Sequence, residues 1–110
     1  MTVSELCTAV EYKINTITIV MNNRSWGAEK AYQKDFFGKR YLGADITSTS
    51  FDKVAELYGA KGFKVKKISE LNEAIRASIK CNKPAVIDVD VDPKALYSFR
   101  RDSFKHREKK

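Results

Sequence analysis

The sequence predicts an α/β fold: a partial doubly wound, mostly parallel sheet flanked by helices. Three observations carry this. Apolar stripes at helical spacing alternate along the chain with short β-branched runs. One run, "TITIVM" from Thr16 to Met21, is β-branched or apolar on both faces, which suits an interior strand of a parallel sheet. Turn residues stand at the junctions: Gly59, Asn82 with Pro84, and Asp92-Pro93. The resulting order is α-β-α-α-β-α-β-α, a layered arrangement.

Thr2-Val3-Ser4-Glu5 reads as a capping box, opening a helix whose stripe is Val3, Leu6, Cys7, Val10 and Ile14. The Thr16–Met21 strand follows. A second helix opens near Gly27 or Ala28 and runs to about Phe37, and "GKRYLGADITSTS" is a loop. Ser50 caps a short helix carrying Phe51, Val54, Ala55 and Tyr58, which Gly59 ends. "GFKVKKI" alternates as a strand. Ser69 caps the next helix, with Leu71, Ala74, Ile75, Ser78 and Ile79 on its stripe, and Asn82 and Pro84 stop it. "PAVIDVDV" is the final strand, and Asp92-Pro93 turns the chain into a last segment. No strand precedes the first helix. The first strand-to-helix turn, where phosphates bind in doubly wound sheets, is therefore missing or lies upstream of Met1.

At 110 residues the chain fits one domain, and 43% hydrophobic with 32% charged residues is an ordinary soluble composition. No apolar run approaches the roughly 20 residues of a membrane span, so no membrane partner is expected. "MTVSELCTAVEYK" lacks the basic start of a signal peptide. Cys7 and Cys81, without a CxxC partner, read as buried reduced thiols of a cytoplasmic protein. Of the formal net charge of +7, residues 99–110, "FRRDSFKHREKK", carry +4, from six Lys/Arg against two acids. The chain divides into a body, 1–98, and a basic C-terminal tail, 99–110, read as a solvated segment. Nucleic acid is not expected as a partner, because no aromatic-basic interleaving accompanies the charge. His106 has no metal-ligand companion at helical spacing.

The stretch most charged with chemistry is "IVMNNRSWGAEKAYQKDFF", Ile19 to Phe37. Asn22 and Asn23 end a strand, where open α/β sheets bind ligands. A side-chain amide oxygen is a hard neutral ligand for Mg²⁺, and the main-chain carbonyl of Ser25 can add a second oxygen. Gly27 allows close approach of a backbone, and the helix start behind it favours an anion. Together these make half of a Mg-diphosphate site, the other half needing a carboxylate. Asn-Asn is equally at home as a plain strand-to-loop transition.

Taken whole, "MTVSELCTAVEYKINTITIVMNN" resembles the second half of the thiamine diphosphate motif, which starts with Gly-Asp-Gly and ends in Asn-Asn. The resemblance is to the pyrophosphate-binding domain of the acetolactate synthase-like family and extends through "AELYGAKGFKVKKISELNEAIRASIKCNKPAVIDVDVD". "WGAEKAYQKDFF" and "SFRRD" are similar to the sulfoacetaldehyde acetyltransferases within it, whereas acetolactate synthases more often have Leu-Gly-Met where this chain has Trp26-Gly27-Ala28.

The resemblance implies thiamine diphosphate and Mg²⁺ as cofactors and assigns roles. Asn23 matches the metal's side-chain ligand, and Ser25 the main-chain carbonyl ligand. Gly27 and Ala28 match backbone positions against the diphosphate, and Asn22 supports the turn. Glu29, Gln33 and Phe36 on the following helix, with Arg100 and Arg101, are candidates for facing the substrate. No catalytic residue is assigned to this segment. The implied reaction converts sulfoacetaldehyde and phosphate to acetyl phosphate and sulfite. The Gly-Asp-Gly carboxylate and the pyrimidine-binding domain with its activating glutamate are absent from the sequence. The resemblance therefore implies a C-terminal fragment of a longer homo-oligomeric enzyme, inactive alone. Its partners are the remaining domains, a second subunit and a small-molecule substrate. An independent nucleic-acid module and a stand-alone interaction domain remain as alternatives.

Overall fold

Three short strands form one parallel sheet in the computed structural model, which describes residues 3–47 and 49–96. The elements are α1 (Glu5–Glu11), β1 (Ile17–Asn22), α2 (Gly27–Phe36), α3 (Phe51–Leu57), β2 (Lys61–Val65), α4 (Leu71–Lys80) and β3 (Ala85–Asp90). A 3₁₀ turn, Ile68–Glu70, precedes α4. The chain falls into two compact units. One holds 3–22 with 49–90, the other 23–47 with 91–96.

The first unit contains the sheet, in the order β1-β3-β2. Ile17 lies beside Ala85 and Asn22 beside Asp90, while Lys61 pairs with Ala85 and Val65 with Val89. The interior strand is thus β3, not the Thr16–Met21 run expected to take that place. Its first five residues are all buried, because strands flank it on both sides and helices cover both faces.

On one face Ala55 of α3 packs with Ala60 and Val86, and Leu6 and Val10 of α1, Val20 and Phe51 close around them. α3 lies so near β2 that a Cβ on Gly62 would stand 2.1 Å from the carbonyl oxygen of Asp52. On the other face α4 contacts β2 and β3, burying Ala74 and Ser78. Small residues at these contacts let helix and sheet approach closely.

Four local expectations change. α1 begins at Glu5 behind Ser4, which makes no side-chain cap bond, and Thr2 lies outside the described residues. Ser50 stands at the start of α3 but makes no side-chain cap bond, and the Phe51 N–H, the first of the helix, donates to Asp88 Oδ2 at 3.1 Å. Ser69 falls inside the 3₁₀ turn. There Glu70 Oε2 accepts the N–H groups of Lys66 and Lys67 at 3.0 and 3.1 Å, which holds its carboxyl below the usual range. Both cysteines are free thiols, but Cys7 is exposed rather than buried, since α1 turns Ala9 inward. Cys81 is half-buried and donates to the Ser78 carbonyl at 3.0 Å. Among the described residues no helix is long and apolar enough to cross a membrane. The basic tail, with Arg100 and Arg101, lies outside them.

Candidate functional site

The second unit opens on Asn23. Its side-chain Oδ1 accepts the Ser25 N–H at 3.1 Å, closing a tight turn around Arg24. Arg24 takes φ +53°, a left-handed conformation that costs a non-glycine residue about 1–2 kcal/mol. Three residues later α2 begins at Gly27. A Cβ there would lie 2.6 Å from Asn23 Nδ2, so only glycine leaves the amide in place beside the helix start.

The residue before α2 is Trp26, which makes no side-chain cap bond. Its carbonyl accepts Lys30 N–H at 2.8 Å, the first bond of the helix. The N–H groups of Gly27, Ala28 and Glu29 therefore precede the intrahelical ladder, and Gly27 lies beside the Asn23 amide. Such a helix start is a ready anion site. Ser25 Oγ is buried without a partner among the described residues.

A returning loop braces this turn. Trp26 N–H donates to Ala44 O at 2.8 Å and Ile46 N–H to Arg24 O at 3.1 Å, and Ser25 and Asp45 form an antiparallel bridge. Lys30 Nζ bonds Asp45 Oδ1 and stands 5.4 Å from the Tyr41 ring centre. Lys30 and Asp45 were not singled out in the sequence, since nothing local marks a pair fifteen residues apart.

Of the substrate-facing candidates, Gln33 is engaged by the loop. Its Nε2 donates to Leu42 O at 2.9 Å, and its Oε1 accepts Leu42 N–H at 3.0 Å. Phe36 is 39% exposed, with its ring centre 4.8 Å from that of Tyr32. Glu29 is exposed in the first turn of α2, where a carboxylate complements the helix dipole. Ala28 is exposed at the helix start. Among the described residues no group of three or more His, Cys, Asp or Glu could hold a metal ion. Gly27→Ala is expected to displace the Asn23 amide while costing only about 1–3 kcal/mol of stability. Comparison of amide NMR shifts at Asn23 to Ala28 with the urea midpoint checks this.

Asn22 belongs to the first unit and is 7% exposed. Its Nδ2 donates to Asp88 Oδ1 at 3.1 Å. Asp88 is fully buried at the centre of the sheet and also accepts from Phe51 N–H and Lys64 Nζ, each at 3.1 Å. Lys64 reaches Asp90 Oδ1 as well, at 2.7 Å. Burial pulls the Lys64 pKa down, but the bonds to Asp90 and Asp88 outweigh it and raise it. One buried carboxylate thus ties β1, β2, β3 and the start of α3, and Asn22 serves that tie.

Residues 1–89 match the family model of the thiamine pyrophosphate enzyme, C-terminal TPP binding domain. A sulfoacetaldehyde acetyltransferase of Castellaniella defragrans is 36% identical over 107 residues, covering 94% of this chain and 18% of the relative. A probable acetolactate synthase large subunit of Methanococcus aeolicus is 33% identical over 99 residues, covering 89% and 16%. The fold superposes on the thiamine diphosphate-dependent 4-hydroxybenzoylformate decarboxylase of Rhodococcus jostii RHA1 with a TM-score of 0.74 at 27% identity, covering 82% of this chain and 17% of that one. The chain thus spans 16–18% of the length of these curated relatives. Thiamine diphosphate, with Mg²⁺, is the cofactor of this group. The chain belongs to the thiamine pyrophosphate enzymes through their C-terminal TPP-binding domain.

Proposed function

We propose that this chain supplies the Asn-Asn half of a Mg-diphosphate anchor within a longer, cytoplasmic sulfoacetaldehyde acetyltransferase. That enzyme forms acetyl phosphate and sulfite from sulfoacetaldehyde and phosphate, a step of sulfonate metabolism. The observation that carries the anchor is the glycine cradle: a Cβ at Gly27 would meet the Asn23 amide at 2.6 Å. The residues present fit the group. Asn23 Oδ1 takes one N–H, from Ser25, and keeps a lone pair for a hard cation. The Ser25 carbonyl adds an oxygen. The N–H groups of Gly27 and Ala28 would hold the diphosphate, with the α2 dipole behind them.

When bound, thiamine diphosphate supplies the electron sink for the carbonyl carbon. The chain's own part is to fix the diphosphate, so that the reacting ring is held in one position. Proton transfer and the carboxylate ligand come from the remaining domains and a second subunit, so the isolated chain is inactive. Glu29 and Phe36 are the helix residues left to face substrate, because both ends of the Gln33 amide hold Leu42. Arg100 and Arg101 are suited to a sulfonate or phosphate, which a guanidinium pairs bidentately. The 36% identity to a sulfoacetaldehyde acetyltransferase supports the acyl acceptor reading. An acetolactate synthase-like reaction, which 33% identity favours, uses the same anchor.

Asn23→Ala in the full-length enzyme is expected to abolish Mg²⁺-dependent cofactor binding, read by titration of thiamine diphosphate. An unchanged Kd would rule the anchor out. Acetyl phosphate release from sulfoacetaldehyde tests the reaction separately.

A further inference from the structure

Gln33 turns the chain back along α2 with its carbonyl and its side chain together. The carbonyl accepts the N–H groups of Phe37 at 3.1 Å and of Lys39 at 3.2 Å, where the helix ends. The side-chain amide then pairs with both main-chain groups of Leu42, at 2.9 and 3.0 Å. An amide matched to one residue's N–H and C=O fixes orientation as well as distance. The Leu42 side chain is 85% exposed, so the loop is held here by its backbone and not by apolar packing. One turn earlier on the same face of α2, Lys30 bonds Asp45.

What the loop holds in turn is Ser25. Arg24 O accepts the Ile46 N–H and Ala44 O accepts the Trp26 N–H, one bond on each side of the Ser25–Asp45 pair. In an antiparallel pair flanked in this way, the paired residue's own N–H and C=O point away from the partner segment. The Ser25 N–H does so, since it is found on Asn23 Oδ1. The Ser25 carbonyl shares that side. The loop therefore sets which way the two oxygens of the anchor, Asn23 Oδ1 and Ser25 O, can point. Ala44, the acceptor for Trp26, stands two residues past Leu42, with Gly43 at φ +61° between them. Glycine does not stiffen that path, so the pin on Leu42 has to.

We propose that Gln33 is a positioning residue for Mg²⁺: by pinning Leu42 it holds the loop that aims Ser25 O alongside Asn23 Oδ1. The inference rests on the anchor described above. It gives Gln33 a part in metal binding, exerted only through the loop, in place of a contact with substrate. Partners that orient a metal's ligands are typically worth about 10–100-fold in affinity.

Gln33→Met keeps the length of the side chain and removes both bonds to Leu42. In the full-length enzyme it is expected to weaken Mg²⁺ binding about tenfold, read by Mg²⁺ titration in the presence of thiamine diphosphate. Without cofactor, hydrogen–deuterium exchange is expected to quicken in peptides covering 23–27 and 42–47, which hold the Trp26 and Ile46 N–H groups, and to stay unchanged at β3. Activity is expected to recover as Mg²⁺ is raised, whereas loss of a substrate contact would raise KM and leave the Mg²⁺ dependence unchanged. Asp45→Ala frees the loop at its other hold and is expected to act in the same direction, which keeps the test decisive should Gln33→Met disturb β3 as well. Unchanged exchange in both variants overturns the inference, and so does faster exchange with an unchanged Mg²⁺ Kd. If Asn23→Ala loses the cofactor while Gln33→Met binds Mg²⁺ like the parent, the anchor stands and this inference falls. If neither variant changes binding, the anchor itself falls and takes this inference with it.

Discussion

Gly62→Ala is expected to destabilise the chain by about 3 kcal/mol or more, the upper end of overpacking effects. The added methyl would meet three main-chain atoms of Asp52: O at 2.1 Å, C at 2.6 Å and Cα at 2.9 Å. Main chain in the first turn of α3 cannot rotate away as a long side chain can. The whole helix would have to lift off β2, opening the contact among Ala55, Ala60 and Val86. Against a total of about 5–15 kcal/mol, that loss leaves a marginal fold. The urea midpoint reads it directly. Gly38→Ala is the reference. Nothing lies within 4 Å of that position, and its φ of +58° makes the cost purely conformational. A Gly62→Ala midpoint no lower than that of Gly38→Ala would show that α3 does not lie this close to the sheet.

Asp88→Ala is expected to cost about 3–5 kcal/mol, the scale for breaking a buried charge network on one side. Three donors lose their acceptor: Asn22 Nδ2, the Phe51 N–H and Lys64 Nζ. Lys64 keeps Asp90 and is partly exposed, so the larger penalty falls on Asn22 and on the start of α3. Asp88→Asn retains one acceptor oxygen and is expected to lose less. Asn22→Ala removes one of the three donors to Asp88 and is expected to cost less, on the order of 1 kcal/mol for that bond. Equal midpoints for Asp88→Ala and Asn22→Ala would contradict the shared role. The pair also sets an alkaline limit. The pKa of Lys64 is raised in the folded chain above its ordinary 10.5. Its stabilisation is therefore fully present below 10.5 and fades as pH climbs through the folded value. In Asp88→Ala that alkaline loss should shrink, visible as a flatter midpoint-against-pH curve.

The elements were legible where local chemistry decides them. The stripe through Leu71, Ala74, Ile75 and Ser78 marked α4, and the β-branched run marked β1. Gly27 marked the opening of α2, where the structure begins it. Cap assignments failed more often, because the N–H groups of a helix start donate to any acceptor in reach. At α3 Ser50 makes no cap bond, and a carboxylate 37 residues along the chain, Asp88, accepts the first N–H of the helix. Gln33 shows the same limit. Its position on the helix suggested a substrate contact, whereas its bonds go to the backbone of Leu42.

Strand order was the larger gap. "TITIVM" is apolar or β-branched on both faces while "PAVIDVDV" carries Asp88 and Asp90 on one, so the sequence pattern points the wrong way about which lies inside. Register and helix placement decide that. They put β3 between its neighbours and leave one face of β1 bare. The sequence by itself determined the α/β class, the element order and the Asn-Asn-to-glycine motif, because periodicity and turn chemistry are properties of neighbouring residues. The tertiary structure alone decided that Gly62 admits a helix backbone, that Asp88 gathers donors from three other elements, and that Asn23 rests against Gly27. Each of these depends on a distance through space between groups whose separation along the chain carries no signal.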